Sequence, residues 1–354
     1  MAHSDISWQI WNYLTSHSPP TSIKKWGEFQ RILPPTPLHP PTPLPQPASL
    51  PLPPSLSVQL PNYTHYSEIW KRNNLMFVFY SSTPIHFNQM MKRITTWLNF
   101  LIFNHYISPM VKASIYFYWT PWKKQIDIHS NLTELNVNTG FTTQSSSNSV
   151  REVVIFRAEE AFKVFLHESF HLFSLDVAFT NHLAQQGNRC MRQRFGTTCR
   201  GNLYEAYTET WARILYTFYS SPSFQTFQSN LRKQITFANQ QAQLVKEFRN
   251  IQPLVQETTS VFAYYDATSL LLNQLQNFWE YCLQTNGEQI LKMPPTKHAL
   301  HRFCQLLSSP PRTHRTRSRT WSRTRASATL HGKSLRMTQK MSKSKSKSNL
   351  NIGE

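Results

Sequence analysis

Along the chain, apolar residues recur first at strand spacing and later at helix spacing. The run LMFVFY at 75–80 is continuous, apolar and of strand length. Met90, Ile94, Trp97, Leu98, Leu101 and Ile102 then fall on one side of a helix predicted over 85–106. Residues 113–119 and 135–143 read as strands, and 153–156 as a short apolar strand. From there the spacing is helical almost throughout, over 158–177, 203–219, 224–248 and 261–283. Strands first and helices later predict an α+β domain, with a small mixed sheet followed by a mostly helical C-terminal half, rather than alternating βαβ units.

Composition divides the chain around that core. Residues 1–33 carry scattered aromatics (Trp8, Trp11, Tyr13, Trp26, Phe29) with little periodicity. From Pro34 to Pro61 the sequence is PPTPLHPPTPLPQPASLPLPPSLSVQLP, a proline density that predicts polyproline II and a semi-rigid linker over 34–62. Arg31, Pro34 and Pro37 fit the RxxPxxP pattern that SH3 domains bind, a match that arises easily in such a tract. The folded domain is expected over 63–307, followed by a disordered tail over 308–354.

The net charge of +19 belongs mainly to that tail, where twelve Lys/Arg and no acid lie between Arg312 and Lys347. Basic residues alternating with Ser/Thr over 311–347 suit nucleic acid or another polyanion, and Trp321 can stack on a base. The four cysteines, Cys190, Cys199, Cys282 and Cys304, show no CxxC spacing. Cys190 and Cys199 are near enough to bridge a loop, and free buried thiols explain them as well. No secretory signal pattern opens the sequence, and no apolar run reaches transmembrane length. An intracellular setting, cytoplasm or nucleus, or a virion, is the expectation.

The densest chemistry lies in AEEAFKVFLHESFHLFSLDV, a predicted helix apolar on nearly every side. A buried helix makes His167, Glu168 and His171 costly unless something satisfies them. They spell HExxH. Residues four apart share a helix face, so both imidazoles can reach one metal ion. Glu168 is turned by about 100° from His167, which sets it beside that ion as a general base for an attacking water.

A catalytic zinc takes a third protein ligand and keeps one position open. The metzincin position for a third histidine is Val177, and Ser174 stands where that pattern has Gly. Asp176 is too near in sequence to swing round to the same ion from a continuous helix, and His182 is possible but has no supporting pattern. Glu205 and Glu209 share the face of a predicted helix whose core stripe is Leu203, Tyr207, Trp211, Ile214 and Phe218. One carboxylate can ligate, and the other can accept a histidine N–H and fix its tautomer.

HExxH followed by ExxxE resembles the gluzincins, including thermolysin-like and anthrax-lethal-factor-like peptidases. The resemblance covers about 155–220 and departs from thermolysin in having Glu at 209, where thermolysin has Asp. It implies a zincin-like metallopeptidase domain, with zinc ligands His167, His171 and Glu205, the base Glu168, and Glu209 behind a histidine. It also implies a protein or peptide substrate paired along an edge strand, for which 137–142 and 153–156 are candidates. Tyr207, Tyr264 and Tyr265 are candidate oxyanion donors. Two functions follow: a zinc peptidase, or a catalytically inactive zincin scaffold tethered to nucleic acid or a viral or other large assembly by its tail.

Overall fold

A computed structural model of the chain describes residues 5–20, 28–37, 59–124, 138–144, 151–177, 181–195, 203–251 and 260–308. Six strands form one mixed sheet: β1 (Gln30–Pro37), β2 (Tyr66–Arg72), β3 (Leu75–Ser81), β4 (Ala113–Trp119), β5 (Gly140–Gln144) and β6 (Arg151–Ile155). Their order is β1-β2-β3-β4-β6-β5. β1, β2 and β3 are antiparallel neighbours, β3, β4 and β6 run parallel, and β5 returns antiparallel to β6. The parallel pair β3–β4 needs a long crossover, and helix α2 (Asn88–Phe103) supplies it.

Alternation along the central strands fills both faces of the sheet. Phe77, Phe79, Ile115, Phe117, Val153 and Ile155 join the helical core. Val78, Tyr80, Tyr116, Tyr118, Val154 and Phe156 form a second cluster with Leu60. Strands buried on both faces read as unbroken apolar runs, which is why 75–80 was legible.

The helical half comprises α3 (Ala161–Leu172), α4 (Asn181–Phe195), α5 (Leu203–Tyr219), α6 (Phe224–Ile251), α7 (Thr268–Asn273), α8 (Leu275–Asn286) and α9 (Lys297–Ser308). Every residue of α3 is buried. The helix lies between β5 and β6 on one side and α5 on the other.

Several expectations are corrected. The domain does not start at 63, because α1 (Ile6–Ser16) and β1 belong to the same compact unit. Asp5 caps α1 by accepting from the Ser7 N–H at 3.0 Å, and Ile10 and Leu14 are fully buried. Three turns of helix give too few repeats for the period to stand out. Pro34 to Pro37, expected as linker, complete β1. A proline lacks only an N–H, and an edge strand with register shifts at Arg31/Leu33 and Leu33/Thr36 tolerates that loss. Arg31, the basic residue of the SH3-type pattern, instead pairs with buried Glu68 at 3.4 Å.

The helix expected over 261–283 is a π-turn (Ala263–Ala267) followed by α7 and α8, broken at Gln274. Cys190 is a free thiol. Cys199, most of the proline tract and the tail after Ser308 lie outside the described residues. Among the described residues no helix is long and apolar enough to cross a membrane.

Candidate metal centre

Two helices and one sharp turn build the site. α3 presents His167, Glu168 and His171, then ends one residue after the last histidine. Ser174 adopts a left-handed φ of 55°, and the Leu175 N–H closes on Phe170 O at 2.8 Å. Arg151 of β6 caps the end, donating to the carbonyls of His171 and Leu172 and, at 2.8 Å, to Ser174 Oγ. The expected helix over 158–177 was longer. Its early end matters, because it folds Asp176 back onto His171.

α5 brings Glu205 opposite. Its Oε2 lies 3.1 Å from His167 Nε2 and 3.3 Å from His171 Nε2, and the two Nε2 atoms are 3.2 Å apart. The three ligand atoms thus form a near-equilateral triangle. A tetrahedral ion with bonds of about 2.0–2.1 Å separates its ligands by about 3.3 Å. The triangle matches one face of that tetrahedron and leaves a fourth position for water or substrate. His167, His171 and Glu205, all buried, are the group among the described residues able to hold a metal ion. His182 is exposed on α4 and takes no part.

Two further carboxylates orient the rings. Glu209 Oε2 is 3.2 Å from His167 Nδ1, and Asp176 Oδ2 is 2.5 Å from His171 Nδ1. An ionised carboxylate only accepts, so each Nδ1 carries its proton and each neutral ring turns a bare Nε2 toward Glu205. Three lone pairs then face one point, which suits a cation. With protons alone, burial opposes charging the rings, but Glu205 and Glu209 outweigh it and lift His167 to about 9. Burial is likewise outweighed at His171, which Asp176 and Glu205 push well above the ordinary range. A divalent ion would therefore replace two protons.

Glu209 is itself clamped. Its Oε1 accepts from Lys163 Nζ at 3.1 Å and from Arg213 Nη2 at 2.9 Å. Burial raises its carboxyl, but Lys163, Arg213 and His167 together hold it well below the usual range. Thr208 Oγ1 donates to Asp176 at 3.1 Å.

Glu168 stands beside the triangle. Thr142 of β5 donates to its Oε2 at 2.7 Å, and burial pushes its carboxyl above the usual range. Gly140 permits this close approach of strand and helix: a Cβ there would lie 2.8 Å from Val154 O and 2.9 Å from Val164 Cγ1. Gly140 is the first residue of β5.

The three tyrosines separate. Tyr207 is fully buried, its hydroxyl 3.1 Å from Leu291 O and 2.8 Å from Asn286 Nδ2. It is a core residue committed to the C-terminal turn, which corrects its candidacy as oxyanion donor. Tyr264 and Tyr265 both line a pocket with His167 and Glu168. The Tyr264 ring is 5.7 Å from that of His167. The π-turn that carries them widens the helix, so neighbouring residues can reach one cavity.

Thr142 and Arg151 escaped the sequence reading, and Asp176 was considered there only as a ligand and set aside. A lone Asp after HLFSL was a signal, but its use required knowing that the helix stops. Lys163 in an otherwise apolar helix was another, since a buried ammonium demands a carboxylate. Compared with protein-family models, curated proteins and solved structures, the chain matches none.

Proposed function

We propose that the chain is a zinc-dependent peptidase with a zincin-like domain and the active-site pattern of the gluzincins. The observation that carries this reading is the triangle of His167, His171 and Glu205 ligand atoms, 3.1–3.3 Å apart, with Glu168 beside it. Zinc held there would supply Lewis acidity to the scissile carbonyl and lower the pKa of water. Glu168 takes a proton from the attacking water as its oxygen bonds to the carbonyl carbon. It passes that proton to the amine nitrogen as the C–N bond breaks. Its burial supports this task, because it raises the carboxyl above the usual carboxylate range and makes it the stronger base. Tyr264, whose ring lies 5.7 Å from that of His167 in the same pocket, would donate to the developing oxyanion. Support for a peptide substrate comes from β5, an edge strand that carries Thr142 against Glu168 and can take an extended chain by strand addition.

Metal content and hydrolysis of an unbiased quenched-fluorescence peptide library test the reading. Wild type should hold stoichiometric zinc, and His167→Ala and Glu205→Ala should lose it. Glu168→Gln should keep zinc and lose about 10²–10⁴-fold in rate. Zinc binding without any hydrolysis would point to the inactive scaffold instead.

A further inference from the structure

The pocket that opens beside His167 and Glu168 is also lined by cations. Lys124, Lys163 and Arg213 line it, together with the carboxylate of Glu209. Glu160 completes the charge cluster, 3.0 Å from Lys163 and 3.9 Å from Lys124. Three cations thus share two carboxylates, and Glu209 also serves His167 through its other oxygen.

The imbalance falls on Lys124. Among the described residues its ion-pair partner is Glu160, at the limit of ion-pair distance and closer to Lys163. Its side chain is only part-buried, and that desolvation, with repulsion from Lys163 and Arg213, holds its ammonium down at about 8 despite Glu160 and Glu209. Two further donors are unspent. Thr139 lines the same pocket at 3% exposure, and among the described residues its hydroxyl has no hydrogen-bond partner. Arg213, 2% exposed, uses Nη1 on Gln234 and Nη2 on Glu209, but its Nε has no partner among the described residues. Buried donors without partners are costly, and a cluster of them around an excess cation is the form of an anion site.

We propose that this pocket binds a carboxylate of the substrate, so that the enzyme selects peptides bearing an acidic group close to the scissile bond. The group is an Asp or Glu side chain, or the peptide's own C-terminal carboxylate. The inference rests on the peptidase reading, and the experiment separates the two. Full-length zinc-loaded protein is given peptide pairs that differ only in Glu against Gln at each position around the cleaved bond. A second set differs only in a free against an amidated C-terminus.

A charge-assisted hydrogen bond to the incoming carboxylate predicts a preference of about tenfold to a hundredfold in kcat/KM for the acidic member of one pair. That ratio should fall toward one in Lys124→Met, decline in Thr139→Val and survive in Lys124→Arg. In parallel, the chemical shifts of N-acetylglutamate are titrated with protein, which needs no turnover. Binding should appear in wild type and Glu168→Gln and vanish in Lys124→Met. Cleavage with equal rates for both members of every pair overturns the acidic pocket and leaves the peptidase standing. N-acetylglutamate binding without cleavage of any peptide does the reverse. A preference that outlasts Lys124→Met places the acidic group elsewhere and overturns the assignment.

Discussion

Replacing Glu209 with Gln tests the centre most severely, since the residue is no metal ligand and reaches the centre through His167. The carboxylate is 6% exposed and accepts from Lys163, Arg213 and His167 at 3.1, 2.9 and 3.2 Å. An amide keeps the shape and removes the charge. Lys163, 1% exposed, is left with Glu160 alone, and Arg213 with Gln234. Breaking a buried ion pair from one side costs about 3–5 kcal/mol. At about 2–4 °C per kcal/mol for a domain of this size, the lower figure lowers Tm by about 6–12 °C. A second effect is chemical. The cations attract the amide oxygen, so the amide NH2 faces His167 Nδ1. Two donors cannot meet, and the imidazole escapes by moving its proton to Nε2, the atom that must ligate. Loss of such an orienting carboxylate weakens metal binding about 10–100-fold. Calorimetric titration with Zn2+ and thermal unfolding, each with and without metal, read both effects. A variant with wild-type zinc affinity and a Tm within about 2 °C would refute the orienting role and the buried network together.

Asp176→Asn should weaken zinc binding about 10–100-fold through His171, whose Nδ1 lies 2.5 Å from that carboxylate. Calorimetric titration of the variant beside Glu209→Gln makes the comparison, and wild-type affinity would contradict it. Gly140→Ala should cost about 1–3 kcal/mol in urea unfolding, since the new Cβ meets Val154 O and Val164 Cγ1 below 3.0 Å. An unchanged midpoint would mean that β5 can retreat from α3. Burial raises the Glu160 carboxyl, but Lys163 and Lys124 outweigh it and hold it at about 2, below the ordinary 4.5. Its stabilisation is therefore full above the ordinary carboxylate range and fades as pH falls toward 2. The Tm deficit of Glu160→Gln should be present at neutral pH and shrink on acidification, and a deficit independent of pH would assign it to packing.

Strand β3 was legible as an unbroken apolar run and helix α5 as a long periodic stripe, each tied to the core along its length. Helix α1 and strand β1 were not. Ile10 and Leu14 anchor a short helix whose period spans three turns, and Pro34 and Pro37 carry a local signal opposed to the sheet they join. Tertiary pairing with β2 overrode that signal at an edge, where a missing N–H costs least. Tyr207 failed for the opposite reason. Its place next to the ExxxE carboxylates suggested the site, but consecutive helical residues diverge by about 100°, and its face points into the core.

By itself the sequence determined the chemistry offered: two histidines and a glutamate on a helix too apolar to expose them, and two carboxylates four apart on a later one. That much follows from helical period and the cost of burying charge, both local properties. Only the tertiary structure decided which atoms meet. The early end of α3 turned Asp176 into the partner of His171, the packing of α5 on α3 set Glu205 at 3.1–3.3 Å from both rings, and β5 carried Thr142 to Glu168. Such distances depend on how elements far apart in the chain pack together, and no spacing along a single segment contains them.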